Sequence, residues 1–197
     1  MPLITIKRKL ISLFAKAFKR YCYPYYILKS KILSLFVGQE SLAYVLYSCL
    51  YPEMVLKIGG AKIGKNVRIH RWLILHESKG TFENLEICDD VFIGKSCIID
   101  LSDKVKIGNR CSIGMAVKII THNNAGDSCL SAKIPNETSP VEIMDDSIIN
   151  WGAIIIKGTL VKPRTVVFPG SVVSGVLKED SIYCGNPARV IPQKQLE

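Results

Sequence analysis

Residues 87–119 read ICDDVFIGKSCIIDLSDKVKIGNRCSIGMAVKI, and this stretch decides the fold. Ile87, Ile93 and Ile99 recur every six residues, as do Ile107, Ile113 and Ile119. A period of six matches neither the 3.6 of a helix nor the 2.0 of a simple strand. It is a repeat signature, in which a short strand turns a corner and a later strand stacks upon it. Outward from this stretch the spacing continues: Ile63, Ile69 and Leu75 before it; Ile143, Ile149, Ile155, Val161, Val167 and Val173 after it. Glycine often follows the aliphatic residue (Gly64, Gly94, Gly108, Gly114). A small or β-branched residue often stands four places on (Val67, Cys97, Cys111, Val117, Ala153, Thr159, Thr165, Ser171). Three hexapeptides make one triangular coil, so every eighteenth residue is expected to stack, Ile69 on Ile87 and Ile149 on Val167.

The breaks in the period carry as much information as the period. From Ile99 to Ile107 the step is eight, which places a two-residue bulge near Leu101–Lys106. From Ile119 to Ile143 it is 24, through a segment with Asn, Gly, Asp, Ser and two prolines. This predicts an excursion loop over 122–141, and long loops on rigid scaffolds are where function concentrates.

The chain before the repeats has a different texture. Ile6, Leu10, Leu13, Phe14, Ala17, Phe18 and Tyr21 share one helical face, opposite Arg8, Lys9, Ser12, Lys16, Lys19 and Arg20. Gly38 ends this segment, and a second apolar helix is expected over about 40–51, ending near Pro52. The reading is therefore 1–57 as a basic, amphipathic helical segment, 58–176 as the repeat domain, and 177–197 as a tail. Net charge is +9, yet eight of the 26 basic residues precede Glu40, leaving 18 against 17 acidic ones. A neutral body argues against a nucleic-acid partner, which needs a basic stripe on the folded domain. The arm, residues 1–37, is suited to peripheral contact with an anionic membrane surface, or to packing on its own domain. Lys16, Lys19 and Arg20 interrupt any secretory core, and the longest apolar run, residues 42–50, is well short of the roughly 20 residues of a membrane span. Seven cysteines without a C-x-x-C pair suggest reduced thiols, a cytoplasmic location, and neither a disulfide framework nor a metal site.

The repeats, I-I-D-L-S-D-K-V-K-I-G-N-R at 98–110, T-H-N-N at 121–124 and Y-C-G-N-P-A-R-V-I at 183–191 together resemble the bacterial hexapeptide-repeat acyltransferases. The likeness is to the group holding the galactoside, maltose and capsular-polysaccharide O-acetyltransferases, and it covers roughly 58–192. It implies a mainly β fold, a left-handed parallel β-helix with an N-terminal helical segment, assembling as a homotrimer. It implies acetyl-CoA as co-substrate, a carbohydrate hydroxyl as acceptor and no metal. His122 matches the catalytic histidine of that group. Imidazole titrates near neutral pH and suits a base that must deprotonate a hydroxyl. Asp100 is the expected partner of His122, with Asp103 as the alternative; either could equally be a turn cap. Asp103, Asn123 and Asn124 are candidates for gripping the acceptor, while His70 and His76 read as structural.

For the donor, the resemblance assigns Arg189 to a phosphate, and Trp151, Gly152, Pro169, Gly170 and Ser174 to the pantetheine groove. The chain departs from the pattern here. Ile148-Ile149-Asn150 stands where relatives carry W-I-G, and Val173-Ser174-Gly175-Val176 where they carry V-T-K-D; Lys178 or Lys162 would replace the missing lysine. Two other readings fit the same residues: an N-acyltransferase of a nucleotide-linked amino sugar, and a β-helix scaffold without catalysis.

Overall fold

The computed structural model describes residues 24, 25, 28, 29, 32, 51–78 and 80–192. The helix expected over 40–51 lies outside the described residues, as does most of the arm, where Pro24, Tyr25, Leu28, Lys29 and Ile32 are helical. Helix α1, Pro52–Ile58, begins at the proline that was expected to end a helix. Proline is well placed in a first turn, where its missing N–H would have had no partner. Gly59 N–H closes α1 on Val55 O at 3.0 Å. Val55, Leu56 and Phe82 are fully buried and plug the open end of the coil. A Cβ on Gly59 would stand 2.3 Å from the Phe82 ring, which explains the glycine. Among the described residues no helix is long and apolar enough to cross a membrane.

Beyond α1 the chain is a parallel β-solenoid of six coils with three faces. The first face stacks Lys62–Ile63, Leu85–Ile87, Val105–Ile107, Val141–Ile143, Leu160–Val161 and Val176–Leu177. The second stacks Arg68–Ile69, Phe92–Ile93, Ser112–Ile113, Ile148–Ile149, Val166–Val167 and Ile182–Gly185, which turns back antiparallel onto Ala188–Ile191. The third stacks Ile74–His76, Ile98–Asp100, Lys118–Ile119, Ile154–Ile155 and Val172–Val173. The coil thus takes in Val176–Leu177 and Ile182–Gly185, beyond the boundary read at 176.

The aliphatic residue of each hexapeptide points inward, and Ile87, Ile93, Ile99, Ile107, Ile113 and Ile119 are essentially without solvent contact. Apolar burial of this kind is the main favourable term in folding. The small residue four places on packs at a corner, and where it is Thr or Cys its side chain also reaches backbone carbonyls. Thr165 Oγ1 donates to Lys162 O at 2.7 Å and Lys178 O at 2.8 Å. Cys97 and Cys111 take the same role, each thiol 3.1 Å from a carbonyl of the next coil. Burial pushes both thiols up to about 11, so they are structural rather than reactive.

Gly64, Gly94, Gly108 and Gly114 are small for a different reason from corner strain. A Cβ on Gly94 would meet Gly114 C of the next coil at 2.7 Å. The left-handed corner position lies two residues later and accepts Asn66, Asp90, Ser96, Arg110 and Ala116, each with φ between 55° and 60°.

Ile149 pairs with Val167 as the eighteen-residue count requires. Ile69 does not lie on Ile87; it pairs with Ile93, while Ile87 lies between Ile63 and Ile107. The extra residues sit after His76, at the corner that closes the first coil. Their number is six, so the insertion preserves the period while changing the face. The excursion is expelled at the corresponding corner two coils on, between Lys118–Ile119 and Val141–Ile143. Val141 is already back in the first face, opposite Val105.

Candidate active site

Every break in the hexapeptide period falls at one corner, where the third face turns into the first. The eight-residue step puts Asp100 at the end of Ile98–Asp100 and adds Leu101 to Asp103 to the turn. One coil on, Thr121 and His122 leave the core in place of a tight corner. His122 and Asn123 then pair with Thr138 and Glu137 as the stem of the excursion. Lys157 Nζ pins that stem through Glu137 Oε2 at 2.9 Å.

Asp100 is 3% exposed and accepts six hydrogen bonds. Its Oδ2 takes Thr121 N–H at 2.7 Å, Thr121 Oγ1 at 2.8 Å, His122 N–H at 3.0 Å and lies 2.6 Å from His122 Nδ1. Its Oδ1 takes Ser102 N–H at 3.1 Å and Ser102 Oγ at 2.8 Å. Burial alone would push this carboxyl up. The hydrogen bonds from His122, Thr121 and Ser102 outweigh burial and hold it well below the usual carboxylate range. With the carboxylate ionised, His122 Nδ1 carries the ring proton and donates it to Asp100, leaving the Nε2 lone pair free. The His122 side chain is only half-buried, at 21% exposure, so a substrate proton can reach that nitrogen.

The other expected residues divide clearly. Asp103 does not reach His122: its Oδ1 caps Lys104 N–H at 2.7 Å, and its own N–H donates to Thr121 Oγ1. Asn124 Oδ1 caps Gly126 N–H at 2.7 Å. Asn123 Nδ2 holds the loop through Pro135 O at 3.0 Å, while its Oδ1 is buried without a partner among the described residues. Trp151 and Gly152 lie at the corner between the second and third faces, directly beside Pro169 and Gly170, with Gly170 N–H donating to Trp151 O at 2.9 Å. Trp151 is 64% exposed. Ser174 lies across the third face, at the corner His122 leaves. Arg189 is exposed on the terminal hairpin, which is joined to the third face by Gly185 N–H on Ser171 Oγ at 3.1 Å. Among the described residues no cluster of His, Cys, Asp or Glu could hold a metal ion.

Two further residues meet at this corner: Ser102, which the sequence reading does not name, and His76, which it reads as structural. Ser102 bridges Asp100 Oδ1 and His122 Nδ1, the latter at 3.0 Å; its signal was the eight-residue step itself. His76 stacks on His122 with ring centroids 5.7 Å apart and planes 28° off parallel. Its position opposite Asp100 depends on the six-residue insertion that the period conceals.

No family model matches the sequence. A curated relative, the 2,3,4,5-tetrahydropyridine-2,6-dicarboxylate N-acetyltransferase of Staphylococcus aureus (strain JH9), is 33% identical over 72 residues, 36% of this chain and 30% of that protein. The chain thus matches less than a third of the length of such curated relatives. In fold it is similar to a hexapeptide-repeat-containing acetyltransferase from Vibrio cholerae, with TM-score 0.70 and 21% identity over 82% of this chain and 92% of that one. That protein has also been solved in complex with acetyl coenzyme A. A maltose O-acetyltransferase from Clostridium difficile 630 gives TM-score 0.68 and 23% identity, over 84% and 86% of the two chains. These likenesses establish the fold, and the solved neighbours fall in the group to which the sequence motifs pointed.

Proposed function

We propose that the protein transfers an acetyl group from acetyl-CoA to a sugar hydroxyl, with His122 as general base and Asp100 as its orienting partner. The observation that carries this reading is the buried, ionised Asp100 on Nδ1 of a half-buried imidazole whose Nε2 is free. A hydroxyl is a weak nucleophile near neutral pH, and a positioned base removes its proton in the transition state. His122 Nε2 takes that proton as the hydroxyl oxygen attacks the thioester carbonyl carbon. The tetrahedral adduct collapses, the carbon–sulfur bond breaks, and His122 returns the proton to the departing thiolate. Asp100 stabilises the transient imidazolium, and Ser102 and Thr121 hold Asp100 in place. No covalent acyl-enzyme is required.

Trp151, Gly152, Pro169 and Gly170, adjacent at one corner, are assigned to the pantetheine arm, as is Ser174 at the other end of the third face. Arg189 is assigned to a phosphate, where a guanidinium suits bidentate contact. The protein acts as a homotrimer in this reading. Its support is the family resemblance together with the apolar residues Phe92, Ile148, Ile98 and Ile154 in the outer rows of the second and third faces, beside Arg68, Ser112 and Lys118.

N-acylation of an amino sugar is the second reading, favoured by the curated N-acetyltransferase match. The test is thiol release from acetyl-CoA with hydroxyl and amino sugars offered in parallel. His122→Ala is expected to lower kcat by about a thousandfold with the trimer intact by sedimentation. Unchanged thiol release in that variant would remove His122 from the chemistry.

A further inference from the structure

The first coil carries a second group of chemistry-bearing side chains that acetyl transfer does not use. At its corner between the second and third faces, a cleft of about 350 Å³ is lined by Ile69, His70, Arg71, Trp72 and Lys95. Trp72 is 46% exposed and takes the left-handed corner position at φ 66°, which a bulky residue occupies only at a cost. Lys95 Nζ lies 5.8 Å from the Trp72 ring centroid. No carboxylate lines the cleft, and among the described residues neither Arg71 nor Lys95 forms an ion pair. At the corner between the first and second faces, by contrast, Arg110 and Arg164 each clamp an aspartate.

This cleft is connected to the candidate active site by one strand. Trp72, Ile74 and His76 are alternate residues and all exposed, whereas Leu73 and Leu75 between them are buried. They form a strip along the outside of the coil, and its far end, His76, stacks on His122. Trp72 and His76 are four residues apart, about 13 Å in an extended strand. A pyranose joined to a diphosphate covers a comparable length. The donor's assigned phosphate contact is elsewhere: Arg189 lies on the strand beyond the sixth coil, about 29 Å along the axis at six strand spacings of about 4.8 Å.

Resting on the acetyl-transfer reading above, we infer that the acceptor is a sugar linked to a nucleoside diphosphate, its base on Trp72 and its phosphates on Arg71, Lys95 and His70. The sugar then lies over Ile74 and His76 and presents its nucleophile to His122. Flat aromatic surface beside unpaired cations is the chemistry that holds a nucleotide, since every base has a face to stack and each phosphate takes charged donors. His76 becomes a wall of the sugar subsite, not a structural residue.

The chain has two tryptophans, so Trp151→Phe leaves Trp72 as the reporter. Titrating that full-length variant with UDP, dTDP and GDP is expected to change Trp72 fluorescence saturably for at least one of them. Inorganic pyrophosphate should bind about tenfold more weakly for want of a base to stack. Arg71→Ala should weaken the nucleotide by about tenfold or more. In wild-type protein, which keeps Trp151 in the donor groove, acetyl-CoA should not displace the nucleotide in equilibrium dialysis, and in turnover the nucleotide should compete with the acceptor. No saturable change with any of the three, or competitive displacement by acetyl-CoA, would overturn the inference. The titration needs no turnover, so the two readings fail separately. Nucleotide binding in a protein that transfers no acetyl group would leave the cleft assigned and sink the chemistry. Rapid transfer to a free sugar, unaffected by these nucleotides, would do the reverse.

Discussion

Two corners of the same coil show what this repeat does with charge. At the corner between the first and second faces, the chain turns tightly in every coil. Asn66, Asp90, Arg110, Asp146, Arg164 and Asp180 all take the left-handed position. Their side chains form an exposed ladder: Asn66 Nδ2 on Asp90 at 3.0 Å, Arg110 on Asp146 at 2.6 and 2.8 Å, Arg164 on Asp180 at 2.5 and 2.6 Å. At the corner between the third and first faces, the chain is lengthened three times and one aspartate is buried under six hydrogen bonds. The first corner has more ion pairs and the other has the proposed catalytic pair. Exposed pairs are screened by water and contribute little. A buried carboxylate that fixes one imidazole tautomer is strongly coupled to the groups around it.

The comparison breaks most readily at Asp100. Asp100→Asn keeps the shape but loses the charge that holds the proton on His122 Nδ1, and kcat should fall roughly a thousandfold or more. Asp100→Ala leaves buried donors without an acceptor and should also destabilise the fold by roughly 3 kcal/mol, read from urea unfolding. The pH dependence follows from the depressed carboxyl. Its stabilising contribution is complete above about pH 4, the unfolded value, and is lost as pH falls through the lower folded value. The stability gap between wild type and Asp100→Asn should therefore narrow only in strong acid; a gap that closes between pH 5 and 7 would contradict the assignment.

A core substitution comes next. Ile113 is fully buried, between Ile93 and Ile149. Ile113→Ala should cost about 3 kcal/mol in the same unfolding measurement, because neighbouring coils cannot collapse into the gap. The smallest effect is expected at the ladder. Arg110→Ala combined with Arg164→Ala should leave both the urea midpoint and kcat within error of wild type. A marked loss of stability there would show that the ladder locks the corners together.

Much of this was legible along the chain. Each inward aliphatic was found by a period of six, because a residue meets the core once per face whatever its neighbours are. The excursion was found because an eight- or 24-residue step cannot close a corner in the usual way. Insertions that keep the period escaped notice. Six residues after His76 leave the aliphatic spacing intact, so the count sets Ile69 against Ile87, and His76 reads as structural. The choice between Asp100 and Asp103 was likewise open. Both stand in one irregular turn, and only the bulge geometry decides which carboxylate faces inward.

What the sequence determined by itself was the coil: core ladder, corner chemistry and the place where the chain leaves it, all consequences of local spacing. The tertiary structure alone decided what meets at that place. Asp100, Ser102, His122 and His76 come from three successive coils, and their contacts depend on how many residues each corner holds. Stacking turns those counts into distances between side chains far apart in sequence, which no local pattern records.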